Sequence, residues 1–493
     1  MTGTVWVKRA AELTAVPIRL EKLQEEARRA GQLLQRRGSV VHLVGIGGVG
    51  MAGLAVFLRA RGHHVDGCDQ SPGKLIRWLQ KAGIRVAIGH DPSHICGADW
   101  VVRTSAVPDT CSEIQRARET GTPVLLRGSV VAALSSLYRT VAVTGSHGKT
   151  TTTAMLFQVL KGAGVTCSYL GGGWDRVAAG PASAAGGDML VAEADESDGT
   201  IGCYHAALGV ITNMEFDHCP AYGDRETMTA VLRHFAGQCR EALFFPAADL
   251  VCRAIADAAA SPRISFGLSP DADVSARLFR EYPCCVMDVH GNGLRLGSLE
   301  LSVGGRHNAM NALAALAVAL HLGVDFNRIR DALRRFVPVA RRFDRWTTAA
   351  GIVVVSDYAH HPTEIGHVLR GVRAEASGRV WVIFQPHRYS RTRQLKDGFV
   401  RVLATVDRLY LTPVFAASEP VIAGGTTDDL ARSLRQRGCR VSTAESPLAA
   451  WTHIRPHLKK GDVLLLLGAG DIEDIVENVL RDLGVKREAR HDQ

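Results

Sequence analysis

Residues 141–153 read VAVTGSHGKTTTT, and the fold is decided there. Residues 141–144 are a short β-branched run of the kind that forms a buried strand. Gly145, Ser146, His147 and Gly148 make a tight loop, and Lys149, Thr150 and Thr151 open a helix. A strand, a glycine loop and a helix start in that order cradle phosphate, because the loop amides and the positive end of the helix dipole face the anion. Lys149 is placed to reach the β- and γ-phosphates of ATP, and the Thr150 hydroxyl to join a Mg²⁺ ion. A glycine turn with a solvated lysine is the plainer alternative, and it leaves the order of the parts unexplained.

Outward from this loop, the chain alternates strand and helix patterns. Residues 40–44 (VVHLV) read as a strand. Gly45, Gly47 and Gly50 then form G-x-G-x-x-G, with Gly48 inside it, before a helical run at 51–60 and a second strand at 65–68 that ends on Asp69. This is a Rossmann-like opening unit, and it predicts a diphosphate on a helix N-terminus without identifying the nucleotide. Further strands are expected at 84–88 and 100–103. Behind the phosphate loop, strands at 189–192 and 208–212 lead into EADESD (193–198) and NMEFDH (213–218). Residues 261–303 are expected to be a β-rich insert, followed by a long Ala- and Leu-rich helix at 309–322. Apolar runs at 352–356, 380–384, 408–412 and 463–467 predict a third, mostly parallel sheet.

The expected architecture is therefore α/β in three domains. An extension covers 1–38, with an amphipathic helical pattern at 18–35. A Rossmann-like domain covers 39–137, a central P-loop ATPase-like domain 138–342, and a C-terminal Rossmann-like domain 343–493.

With 493 residues the chain is too long for a single core. Lys and Arg number 58 against 49 Asp and Glu, a net charge of +9. The basic residues are scattered, which disfavours nucleic acid and suits a polyanionic small substrate. Eleven cysteines without a C-x-x-C pair suit reduced thiols in a cytoplasmic protein. No apolar run is long enough to span a bilayer, and no membrane association is expected.

Four carboxylates crowd residues 193–198 at a strand end, and a hard cation such as Mg²⁺ would relieve their repulsion. His218 stands beside Asp217 and Glu215 at the end of the next strand, where α/β sites are built. Asp357, Tyr358 and His360 follow one strand, and His387, Arg388, Arg391 and Arg393 follow another. Guanidinium groups there can grip a carboxylate or phosphate in bidentate fashion.

Taken together, GIGGVGM (45–51), GSHGKTTTT (145–153), EADESD (193–198), N-x-E-x-DH (213–218), GRHN (305–308), DYAHHPTE (357–364), FQPHRYSRT (384–392) and GAGDI (468–472) resemble the Mur ligase family, in family order. The resemblance implies an ATP-dependent ligase of peptidoglycan precursor synthesis. In the expected reaction, the lactyl carboxylate of UDP-N-acetylmuramate is activated as an acyl phosphate and captured by L-alanine. EADESD is similar to the alanine-adding branch, whereas the murein-peptide recycling branch typically has tyrosine at the place of Ser197.

By the same resemblance, Gly45, Gly47, Gly48, Gly50, Asp69 and Ser105 would hold the UDP sugar, and Gly145 to Thr151 the ATP phosphates. Thr150, Glu193 and His218 would position Mg²⁺, Asn308 would read adenine, Asp357 the ribose and Arg342 the phosphates. Tyr358, His387, Arg388 and Arg391 would line the alanine pocket. Ser146, Ser356 (where the family commonly has Asp), RTSAVP (103–108) and GTIGCYH after Asp198 depart from the family pattern without removing a charged catalytic group. A monomer or homodimer is expected. Two other classes compete. A nicotinamide-dependent oxidoreductase leaves Lys149 unused, and a nucleotide sensor has no need of Glu193, His218 and Arg391 together.

Overall fold

Continuous apolar runs, not alternating ones, make up most of the central strands, as expected for parallel sheets covered on both faces. A computed structural model describes residues 20–215, 222–417 and 419–485. The chain divides into two compact units, Met1–Val339 and Ala340–Gln493, and carries three sheets.

The first sheet contains β1 (Val40–Val44), β2 (His64–Asp69), β3 (Arg85–Ile88), β4 (Trp100–Arg103) and β5 (Val124–Leu126). All are parallel, in the order β3-β2-β1-β4-β5. The order reverses between β1 and β4, and ligand crevices of open α/β sheets form at such a switch point. The loop after β1 and the loop after β4 meet there: a Cβ on Gly45 would lie 2.9 Å from Thr104 Cγ2. The helix Leu20–Leu34 buries Leu20, Ala30, Leu33 and Leu34 and packs on the helix Arg127–Leu137.

The second sheet contains β6 (Arg139–Thr144), β7 (Cys167–Asp175), β8 (Gly180–Ser183), β9 (Met189–Glu193), β10 (Leu208–Ile211), β11 (Ala242–Pro246), β12 (Arg263–Gly267), β13 (Val274–Arg280), β14 (Cys285–Gly291) and β15 (Leu294–Leu301). Their order is β15-β14-β13-β12-β11-β10-β6-β9-β7-β8. The segment expected as a β-rich insert is thus a continuation of the main sheet. β12 pairs parallel with β11 and β13, and β13, β14 and β15 form an antiparallel meander. The phosphate-loop strand β6 lies in the middle, between β10 and β9. The alanines of helix Arg306–His321 let it lie close against helix Lys149–Gly162.

The third sheet contains β16 (Asp344–Thr347), β17 (Val353–Asp357), β18 (Val380–Phe384), β19 (Arg408–Leu411), β20 (Val441–Thr443) and β21 (Val463–Leu467), in the order β16-β17-β21-β18-β19-β20. Only β16 is antiparallel. The sequence pattern reveals β17, β18, β19 and β21 and misses the edge strands β16 (DRWT) and β20 (VST), which are half-exposed and carry no apolar run. Among the described residues no helix is long and apolar enough to cross a membrane.

Candidate active site

The phosphate loop leaves β6 at Thr144 and turns on two glycines in positive φ, Gly145 at 126° and Gly148 at 81°. Gly148 caps the helix that starts at Lys149. A Cβ on Gly148 would collide with the Asn311 side chain, and one on Gly145 with Thr212 Oγ1. The end of β10 clamps the loop. Asn213 Oδ1 accepts the His147 amide at 3.0 Å, and Asn213 Nδ2 donates to the His147 carbonyl at 2.8 Å. Ser146 Oγ donates to the Glu215 carbonyl at 2.6 Å and accepts the Glu215 amide at 2.8 Å. A threonine hydroxyl makes the same two bonds, which is why Ser146 is a mild departure. The segment read from sequence as metal-binding thus also shapes the loop. His218 itself lies outside the described residues.

The Lys149 ammonium donates to the Gly145 carbonyl at 2.6 Å and lies 2.8 Å from Glu196 Oε2. The surrounding carboxylates of Glu196, Asp195 and Glu193 outweigh its burial and raise its pKa, so it stays charged. Burial pushes the Glu196 carboxyl up to about 7 against the attraction of Lys149. Asp195 is held below the usual carboxylate range, despite burial, by Arg127 and Lys149, whereas burial and Asp195 raise Asp198. Arg127 Nη2 stands 3.4 Å from Asp195 Oδ2. A Cβ on Gly50 would lie 3.1 Å from Arg127 Nη1. Arg127 therefore joins the glycine loop of the first sheet to the carboxylate loop of the second. The sequence reading missed both Arg127 and the Lys149–Glu196 pair.

Glu193 closes β9, and its Oε2 accepts the Gly172 amide at 2.8 Å. A Cβ on Gly172 would collide with the Glu193 carboxylate, and one on Gly173 would lie 3.3 Å from Thr150 Cγ2. The missing side chain of Gly172 leaves room for the Glu193 carboxylate, and that of Gly173 for Thr150. Hydroxyl and carboxylate oxygens are the hard donors that suit Mg²⁺. Thr151 follows on the first helical turn, half-buried. Asn308 Nδ2 donates to the Gly304 carbonyl at 2.8 Å, and its Oδ1 accepts from Asn311 Nδ2 at 3.3 Å. Asn311, which the sequence reading passed over, also accepts from Thr152 Oγ1 at 3.3 Å.

In the first sheet, Asp69 Oδ2 accepts the Gly47 amide at 2.8 Å. Gly45 has φ of 80°, and its amide and that of Ile46 donate to the Cys68 carbonyl. Gly48 caps the helix Val49–Ala60. Ser105 is exposed in the turn after β4.

The second unit gathers its own cluster. Both Asp357 oxygens accept backbone amides at 2.7 Å, from Phe343 and Ala359, and burial raises its carboxyl to about 6 against Arg342. The guanidinium carbons of Arg341 and Arg342 lie 4.8 and 5.3 Å from the Tyr358 ring centroid. Arg341 and Phe343 hold left-handed φ of 63° and 57°, local strain of the kind that collects at functional sites. Arg391 Nη1 lies 3.3 Å from His387 Nδ1, and the His387 ring stacks on Phe415 with centroids 5.5 Å apart. Burial, with His360 and Arg391 beside it, lowers His387 to about 3, so the ring is neutral and its Nδ1 accepts. Burial likewise lowers His360 to about 4. Arg388 has φ of 70°, and its Nε is buried without a hydrogen-bond partner.

A Rossmann-like sheet, a sheet built around a phosphate loop and a third, mostly parallel sheet with an arginine–histidine cluster define an ATP-dependent ligase. The chain belongs to the Mur ligase family: it matches the Mur ligase family catalytic domain over residues 40–139, the Mur ligase middle domain over 143–319 and the Mur ligase glutamate ligase domain over 341–470. It is 38% identical over 457 residues to the UDP-N-acetylmuramate–L-alanine ligase of Xanthomonas axonopodis pv. citri, covering 90% of this chain and 95% of that protein. It is 37% identical to the enzyme of the same name from Desulfosudis oleivorans, over 89% of this chain and 97% of that one. Among solved structures, the UDP-N-acetylmuramate-alanine ligase of Thermotoga maritima superposes with a TM-score of 0.78 at 28% identity, over 90% of this chain and 99% of that chain. A murein peptide ligase from Psychrobacter arcticus shares the fold, with a TM-score of 0.71 at 24% identity over 91% and 99% of the two chains.

Proposed function

We propose that the protein joins L-alanine to the lactyl carboxylate of UDP-N-acetylmuramate with cleavage of ATP, in peptidoglycan precursor synthesis. The observation that carries this reading is the half-buried Lys149 ammonium at the mouth of a phosphate loop, in a chain whose relatives of that name match it over nearly its whole length.

A carboxylate is a poor electrophile, so activation comes first. A lactyl carboxylate oxygen attacks the γ-phosphorus of ATP. The new O–P bond replaces the β,γ-bridging one, and ADP leaves. The alanine amine then attacks the acyl carbon, sheds a proton, and the tetrahedral adduct expels phosphate. Two anions must meet in the first step, so the protein's contribution is largely positioning and charge neutralisation.

The loop amides of Gly145 to Thr151 and the Lys149 ammonium would hold the ATP phosphates. Thr150 and Glu193 fit Mg²⁺ by their hard oxygen donors, with His218 assigned to the same role by motif. The ion, when bound, supplies charge neutralisation at the phosphates. Gly45, Gly47, Gly48, Gly50, Asp69 and Ser105 would take the UDP sugar. In the second unit Arg342 and Asp357 would serve ATP. Tyr358, His387, Arg388 and Arg391 would receive alanine, an arginine gripping its carboxylate. Asn308 would read adenine. A cytoplasmic setting, where ATP and UDP sugars are made, fits ten described cysteines that carry no disulfide.

The test is phosphate release from ATP, Mg²⁺ and UDP-N-acetylmuramate with and without L-alanine, with the nucleotide product weighed. Alanine-dependent phosphate and a product heavier by one alanyl residue support the reading. Release with a tripeptide but not with alanine overturns it in favour of a peptide ligase.

A further inference from the structure

Away from the phosphate loop, side chains of the first sheet converge on one buried carboxylate. Glu113, at the start of helix Ser112–Glu119, is fully buried. Its Oε1 is approached by the Cys68 thiol at 3.1 Å, His90 Nδ1 at 3.0 Å, His94 Nδ1 at 3.2 Å and the Asp91 amide at 3.0 Å. Its Oε2 takes the Cys111 thiol at 2.9 Å and the Ser112 hydroxyl at 3.0 Å. A carboxylate offers about two lone-pair sites per oxygen, so more groups crowd Oε1 than it can accept from. Burial works against ionisation of Glu113, yet bonds from Cys111, Cys68 and His90 hold its carboxyl well below the usual range. Burial and the Glu113 contact push the Cys68 thiol up.

Cys68 Sγ also lies 3.5 Å from His90 Nδ1. One sulfur, one nitrogen and one oxygen therefore form a closed triangle. A tetrahedral ion with bonds of about 2.0–2.3 Å spans ligand–ligand edges of about 3.3–3.7 Å; the sulfur–nitrogen side already has that length, and the two sides to the oxygen would open by about 0.3–0.5 Å on binding. A second observation is independent of the triangle. His42 is buried, its Nδ1 is held by Asp66 Oδ1 at 2.8 Å, and its Nε2 is buried with no hydrogen-bond partner. A ring nitrogen of His42, the Cys68 thiol and a ring nitrogen of His94 lie within 4.8 Å of one another. An imidazole fixed through one nitrogen by a carboxylate and bare at the other is the usual arrangement of a metal ligand.

We propose that Cys68, His90 and Glu113 bind a borderline-soft divalent ion of the Zn²⁺ class, with His42 and His94 bordering the fourth position. Mixed sulfur, nitrogen and oxygen donors select such an ion over Mg²⁺ or Ca²⁺. Binding replaces the Cys68 S–H bond with an S–metal bond and releases that proton to solvent, with no change of oxidation state. The partly exposed edges of His90 and His94 give the ion a way in. Because the Cys68 carbonyl holds the amides of Gly45 and Ile46, the ion would brace the base of the first glycine loop.

The test uses the full-length protein, stripped with a chelator and titrated with Co²⁺, then Zn²⁺, without nucleotide. One cobalt per chain with a thiolate-to-cobalt charge-transfer absorption, displaced by zinc, is the expected result. Cys68→Ser should abolish that absorption with the far-ultraviolet circular dichroism unchanged. His90→Gln, which leaves the thiol in place, should weaken cobalt binding by at least about tenfold. Absence of the absorption in the wild type, or its persistence in Cys68→Ser, overturns the proposal.

Discussion

The Lys149 ammonium and the Glu196 carboxylate stand 2.8 Å apart, both largely buried, where a phosphate loop opens its helix. The pairing keeps the lysine charged and parked on a partner it can leave. Lys149→Ala removes the one flexible cation of the loop. It is expected to lower the ligation rate by at least about 10²–10³-fold, the usual loss for one charge-stabilising donor, with the circular dichroism spectrum retained. Near-normal phosphate release in this variant would remove the lysine from the mechanism.

Glu196 gives nucleotide binding a pH dependence. Its carboxyl is pushed up to about 7 by burial, so above neutrality it is ionised and competes with ATP for Lys149. Below neutrality it is protonated and the lysine is released. ATP affinity measured by calorimetry without Mg²⁺ should therefore fall as pH rises through 7 more steeply in the wild type than in Glu196→Gln. Titration of the nucleotide itself is common to both proteins and cancels in the difference. Identical pH profiles would contradict the competition.

Gly148→Ala tests the loop's backbone. A left-handed φ of 81° costs a residue with a Cβ about 1–2 kcal/mol, and the methyl group would also collide with Asn311. A lower melting temperature together with a raised KM for ATP is expected. An unchanged KM would mean that the loop tolerates a shift.

How much of this was open to sequence reading follows from locality. The phosphate loop, its strand and its helix are contiguous, and so the motif declares them. Strand β7 is concealed because Gly172 and Gly173, which make room for Glu193 and Thr150, carry no β-forming side chain. Arg127 meets Asp195 across 68 residues and Asn311 meets Thr152 across 159. No spacing rule reaches that far. The roles of Arg127 and Asn311 exist only once helices and sheets are assembled.

The histidines of the second unit set an acid response. His360 and His387 take up protons only near pH 4 and 3 when folded, but near 6.5 when unfolded. The unfolded chain thus binds more protons between these values, and stability falls as pH drops below about 6.5. Glu196 and Asp357, whose carboxyls are raised, pull the other way, so the informative quantity is a difference. His360→Asn should lose less stability between pH 6.5 and 5 than the wild type, measured by denaturant unfolding. Equal losses would show that His360 titrates normally.

The central claim is that the carboxylate is activated by phosphoryl transfer before the amine attacks. It is tested most directly with UDP-N-acetylmuramate labelled with ¹⁸O in its lactyl carboxylate, turned over with ATP, Mg²⁺ and L-alanine. One carboxylate oxygen should appear in the released phosphate, because the O–P bond made in the first step survives the second. Phosphate free of label, alongside alanyl product, would contradict the acyl-phosphate route.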